Sequence, residues 1–155
     1  MSDPRPGWMI NAQSPGIEEQ SLTIYGARHM FTVVVSGIVP ELPYIVGRTK
    51  EGFLFISDDV PEAYWPHIIA HELREEMNLT EIPREELCVL SLREELLGVD
   101  EDETIDLNTY VRERGRFFDA LVPFYENNPE QLAARPPGFL DSIRRSQELL
   151  RSLLS

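Results

Sequence analysis

The sequence predicts an α+β fold, because two kinds of periodicity follow one another along the chain instead of alternating. Up to residue 57 the apolar residues are β-branched or aromatic and come in short runs broken by Gly and Pro. Beyond residue 60 they recur at helical spacing. The third observation is size. A chain of 155 residues with 42% apolar content is one domain's worth, with core enough to fold without disulfides or a stapling metal. The expectation is a small, mostly antiparallel sheet of about four strands within residues 21–57, then about four or five helices. Residues 21–155 form one domain in this reading. Residues 21–98 hold the sheet and the motif helices, and residues 104–155 form the helical C-terminal part.

Each element has its own signal. Residues 1–20 mix Pro, Gly, Ser, Asn and Gln and read as a disordered or loosely attached arm. Leu22-Thr23-Ile24-Tyr25 alternates, Gly26 interrupts, and His29–Ser36 is rich in β-branched residues. Tyr44–Arg48 and Phe53–Ser57 flank Thr49-Lys50-Glu51-Gly52, a hairpin signal with Gly52 at a positive-φ position. Lys50 is the only lysine, and this turn tip makes it a solvated residue instead of a chemical one. Asp58–Glu62 then announces a helix, with a short turn over Pro61–Trp65 and a helix from Pro66 to about Asn78. A second helix is expected from Pro83 to just before Gly98. A long one follows over about Asp106–Tyr125, with Gly115 and Pro123 as weak points. A short helix opens after Asn128. After Pro136-Pro137-Gly138, the apolar stripe of Phe139, Leu140, Ile143 and Leu150 marks the last one. The repeated Leu-Arg-Glu-Glu at Leu73–Glu76 and Leu92–Glu95 is an echo between acidic helices, not a repeat.

Charge excludes some functions. There are 27 acids against 14 Lys and Arg, a formal net charge of -13. Such a surface argues against a nucleic-acid duplex or an anionic membrane as the main partner. No apolar run approaches a membrane span, and no basic-then-apolar leader opens the chain, so a cytoplasmic location is expected. Cys88 is the single cysteine, which excludes an intrachain disulfide. Its setting, Leu87-Cys88-Val89-Leu90, reads as a buried, inert thiol.

The informative text is Trp65-Pro66-His67-Ile68-Ile69-Ala70-His71-Glu72-Leu73-Arg74-Glu75-Glu76. At about 100° per residue, His67, His71 and Glu75 fall near 0°, 40° and 80° and share one stripe. Ile69, Ala70, Leu73 and Met77 face the other way, toward the sheet. Ligands at i and i+4 project from successive turns about 5–6 Å apart and can grip one ion. His67, His71 and Glu75 are therefore candidate metal ligands.

His71-Glu72-Leu73-Arg74-Glu75 also resembles the zincin metallopeptidase motif HExxH. The strand Gly52–Ser57, linked through a short proline-containing segment into this helix, is similar to the minimal zincin domains, including the repressor-cleaving minimal gluzincins. The likeness covers about residues 43–78. It implies that His71 is the first ligand and Glu72 the catalytic general base. Glu75 stands where the family has its second histidine. That exchange lowers the site's charge by one, weakens the Lewis acid, and shifts preference from Zn toward harder ions such as Mn or Fe. The family's third ligand comes from a following helix, where Glu94 and Glu95 stand. Two registers stay open: His71 and Glu75 with Glu72 as base, or His67 and His71 with Ile68 at the base position and no family-type hydrolysis.

Other constellations are weaker. Asp100, Asp102, Thr104, Asp106 and Asn108 alternate oxygens as calcium loops do, but Ile105 and Val111 occupy the glycine and glutamate positions. His29 opens a strand and reads as structural or exposed. No Ser–His–Asp grouping, phosphate loop or di-iron text is present. Arg112, Arg114, Arg116, Arg135, Arg144, Arg145 and Arg151 load the C-terminal helices with base, where ion pairs within the fold or a homodimer are expected. The expected function is a zincin-like protein binding a divalent metal (Zn, Mn or Fe). The rival is a non-enzymatic module whose C-terminal amphipathic helices and acidic surface dock a protein partner.

Overall fold

Tyr25 and Gly26 both take positive φ, 54° and 76°, which makes the two-residue loop whose twist matches a hairpin. That loop pairs β1 (Glu18–Ile24) with β2 (Ala27–Val34), with Ile24 opposite Ala27 and Glu18 opposite Val33. The computed structural model describes residues 18–35, 37, 39–48 and 52–154. β1 therefore claims Glu18–Gln20, which the composition had assigned to the arm, because long β2 offers them partners. Residues 1–17 and the turn residues Thr49–Glu51, Lys50 included, lie outside the described residues.

β3 (Val46–Arg48) is a short edge strand and β4 (Leu54–Ser57) runs antiparallel to it. The sheet order is β1-β2-β4-β3, with β4 parallel to β2. The link after β2 steps across one strand width, so the β3–β4 hairpin folds back into the gap. Ile45 N–H donates to Ser57 Oγ, and Asp58 N–H donates to the Val34 carbonyl, which close that gap. β4 is the fully enclosed strand, and all four of its residues are buried. Its unbroken apolar text is what a central strand needs. Two of the three pairings are antiparallel and one parallel, so the sheet is mixed.

A single 3-10 turn, Glu62–Tyr64, leads into α1 (Trp65–Met77), whose Pro66 sits in the first turn where no N–H is needed. α2 (Arg84–Asp100), α3 (Leu107–Glu126), α4 (Pro129–Ala133) and α5 (Phe139–Leu153) follow. The fold is α+β. α1 lies against β1 and β4, α2 packs on α1, and α5 packs on both α2 and α3. Among the described residues, no helix is long and apolar enough to cross a membrane.

Three local readings needed correcting. Gly98 does not stop α2, which runs on to Asp100. A Cβ there would lie 3.4 Å from His67 Nδ1, so Gly98 is where α1 and α2 approach closely. α3 also runs unbroken through Gly115, where a Cβ would meet only Leu150 Cβ at an ordinary 4.0 Å, and Pro123 rides inside its last turns. Met77 is 64% exposed, while Ile68, Ile69 and Leu73 carry the buried side of α1. The acidic connector is spent locally. Asp102 accepts from Thr104, and Asp106 caps α3 by accepting from Thr109 N–H at 3.0 Å.

The register of α1 can be tested by truncation. Ile69→Ala should lower unfolding free energy by about 2–5 kcal/mol, the cost of an enclosed cavity. Met77→Ala should stay within about 0.5 kcal/mol, as surface changes do. Urea denaturation of both variants measures the contrast.

Candidate functional site

The histidine stripe does not face open water. α1 turns it toward α2 and α3, so His71 is only 3% exposed. A buried imidazole needs partners, and they come from α1 itself and from α2. His71 Nδ1 lies 2.7 Å from Glu95 Oε1, an ion-pair contact whose angle falls outside good hydrogen-bond alignment. Its Nε2 lies 3.5 Å from Glu75 Oε1 and 3.7 Å from Cys88 Sγ.

Glu95, on α2, is fully buried and accepts from three sides. Arg114 grips it in a fork, Nε to Oε2 at 2.8 Å and Nη2 to Oε1 at 2.9 Å. The Tyr110 hydroxyl also donates to Oε2. Arg114 Nη1 donates to the Tyr44 hydroxyl at 3.0 Å, and its guanidinium lies over the rings of Phe117 and Phe118. Arg114, Glu95, His71 and Glu75 thus alternate in charge along one buried line.

The proton affinities follow that line. Burial alone would raise Glu95, but Arg114 and His71 outweigh it and hold the carboxyl down at about 2. Burial would lower His71, yet Glu75, Cys88 and Glu95 hold its imidazole well above the usual value. Burial, with Glu75 beside it, pushes Glu72 up to about 8. Burial opposes Glu75's ionisation too, but His71 keeps its carboxyl below the ordinary range. Burial and the Glu75 charge push the Cys88 thiol up. Near neutral pH the cluster therefore holds a carboxylic acid at Glu72, a carboxylate at Glu75, an imidazolium at His71 and a thiol at Cys88.

These groups line a cavity of about 610 Å³. α1 and α2 supply His71, Glu72, Glu75 and Cys88; α3 and α5 supply an apolar wall that includes Phe117, Phe118, Leu121, Phe139 and Ile143; β3 forms an edge. A concave, largely apolar pocket with a few converging polar groups and displaced proton affinities has the character of a ligand site.

Of the sequence candidates, His71, Glu72 and Glu75 meet at this cavity. His67 does not join them, because its Nε2 is held 2.8 Å from Asp102 Oδ2. Glu94 is exposed, while Glu95 stands behind His71 instead of beside Glu75. Cys88 is buried as expected, but it is not isolated: its sulfur faces His71 and accepts from the Ser146 hydroxyl at 3.2 Å. Arg114, Glu95 and Cys88 went unrecognised as a unit. A signal existed for two of them. Arg114 sits four residues after Tyr110 and four before Phe118, inside an apolar stripe, and Glu95 sits four before Val99 on another.

Among the described residues, His71, Glu75 and Cys88 form a group whose nitrogen, oxygen and sulfur donors all lie within 4.8 Å of one another. Zinc bonds of about 2.0–2.3 Å meeting at the tetrahedral angle place neighbouring donors about 3.3–3.6 Å apart. The 3.5 and 3.7 Å separations around His71 Nε2 come close to that spacing. Glu95 at Nδ1 occupies the position from which a carboxylate orients a ligating histidine.

No protein-family model matches the chain, and neither curated proteins nor solved structures give a significant match.

Removing one member of the buried line should be costly. Glu95→Ala strands Arg114 and His71 and should cost about 3–5 kcal/mol, measured by urea denaturation. The pH sign is also defined. A carboxyl held low stabilises the fold above the ordinary carboxylate range, and that contribution is lost as pH falls toward about 2. The metal-free protein should therefore lose stability on acidification through that window, and Glu95→Gln should flatten the loss.

Proposed function

We propose that the protein binds one zinc ion through His71, Glu75 and Cys88 and uses it for hydrolysis of a ligand held in the cavity. The observation that carries this reading is the gathering of three unlike donors within 4.8 Å of one another, two of the separations 3.5 and 3.7 Å, with Glu95 set behind the histidine. The donor chemistry fits zinc. A thiolate, an imidazole and a carboxylate together favour zinc over the harder Mn or Fe that a His/Glu pair alone suggests. Three protein donors are the number that leaves a position open to a reactant.

This reading keeps the zincin-like alignment in part. His71 and Glu75 take the two ligand positions of the motif, Glu72 the base position, and the following helix supplies Cys88 instead of a glutamate. When bound, zinc would supply Lewis acidity toward a carbonyl oxygen. The chain's own groups do the rest. Glu72, at the cavity wall beside the proposed ligands, stands where it can store and return a proton. Glu95, gripped by Arg114, keeps the His71 ring in one orientation. His71 and Cys88 must lose protons to bind metal, so affinity should fall as pH falls.

Elemental analysis of untagged protein dialysed against zinc should show close to one Zn per chain. His71→Ala and Cys88→Ser should abolish that content, and His67→Ala should keep it. With free zinc at a hundred times Kd, thermal unfolding should reflect about 2.7 kcal/mol of added stability. Absence of zinc from the wild-type protein, or its loss in His67→Ala with retention in His71→Ala, would sink the assignment.

A further inference from the structure

The cavity has a neighbour. A smaller chamber of about 190 Å³ has Arg84, Leu87, Pro136 and Ser142 to itself, and it shares Glu75, Leu79, Cys88, Arg135 and Phe139 with the large one. Two of the three proposed zinc ligands therefore stand where the chambers meet. The chambers differ in chemistry. The large one is walled by the aromatic and aliphatic side chains of α3 and α5, and its rim charges Arg48 and Glu76 are paired with each other. It suits an uncharged apolar body.

Arg84 is the guanidinium that belongs to the small chamber alone, while Arg135 lines both. Arg135 donates from Nε to the Tyr125 hydroxyl at 3.1 Å and lies over the rings of Tyr125 and Phe139. Arg84 is half-buried at the start of α2 and makes no ion pair among the described residues. In a chain with 27 acids against 14 bases, an unpaired arginine in a chamber is an expected home for a ligand's carboxylate. The chamber's volume equals about six waters at roughly 30 Å³ each, enough for a carboxylate and a short stem.

We propose that the site hydrolyses N-acylated amino acids, with the apolar acyl group in the large cavity and the amino-acid carboxylate in the small chamber against Arg84. This rests on the zinc reading above. The amide then lies at the junction, beside Glu75 and Cys88 and within the cavity that Glu72 lines. Water's oxygen bonds to the acyl carbon, the carbon–nitrogen bond breaks, and the nitrogen takes up the two protons that water releases. The products are a carboxylate and a free amino acid, and one water is consumed.

Three probes test it: N-phenylacetylglycine, its neutral amide N-phenylacetylglycinamide, and the reversed compound N-benzylmalonamic acid. Calorimetry on metal-free protein should show N-phenylacetylglycine binding about tenfold or more tighter than its amide, the scale of one charge-assisted hydrogen bond. Arg84→Met should bring that ratio to about one. Zinc-loaded protein should release glycine from the acid, with kcat/KM about tenfold or more above that for the amide. Equal binding of acid and amide, a ratio that survives Arg84→Met, or preferred cleavage of N-benzylmalonamic acid would each overturn the proposal. One bound zinc without glycine release overturns this inference and leaves the zinc site standing. No bound zinc and no release remove both.

Discussion

The fork between Arg114 and Glu95 is the interaction on which the rest of the site depends. Both side chains are buried, and a buried charge without its partner costs several kcal/mol. The pair therefore holds α3 to α2 at one register. Tyr44 and Tyr110 satisfy the remaining polar atoms from the β3 approach and from α3 itself. Once Glu95 is held, its second face can orient His71, and His71 in turn draws Glu75. The charges alternate along the line, so each member lowers the cost of burying the next.

This line is not simply a stabilising core. Apolar side chains of equal volume would hold three helices together as well or better. What the charged line adds is position. It keeps an imidazole nitrogen, a carboxylate and a thiol close together at a cavity wall, where a few tenths of an ångström decide whether one ion can be shared. It also separates two neighbouring carboxyls on α1. Glu72 keeps its proton up to about pH 8, while Glu75 is ionised beside His71. Two acids of the same type, three residues apart, thereby acquire different roles from their surroundings.

The sheet contributes by topology. Because β4 returns between β2 and β3, the chain leaves the sheet from its enclosed strand and enters α1 directly. α1 is thus pinned on one side by Ile69 and Leu73, and its opposite stripe meets α2 instead of solvent. Gly98 lets the two helices close at His67, one turn before His71. α5 packs on α2 and α3 and supplies Ser142 and Ser146 to the backbone and sulfur of Cys88.

By itself the sequence determined the α+β class, the order and approximate extent of the helices, and the stripe that carries His67, His71 and Glu75. Those features depend on local periodicity and on caps, prolines and turn residues, which act over a few residues. The same local reasoning shortened α2 at Gly98 and gave β1 three residues too few, because helix packing and strand pairing overrode propensity there. Only the tertiary structure decided that His67 belongs to Asp102, that Cys88 belongs to His71, and that Glu95 and Arg114 are buried together. Those contacts join residues 17 to 35 positions apart, and no local pattern specifies which distant charges a buried group will meet. Burial, which sets both the pairing and the proton affinities, exists only once the helices are packed.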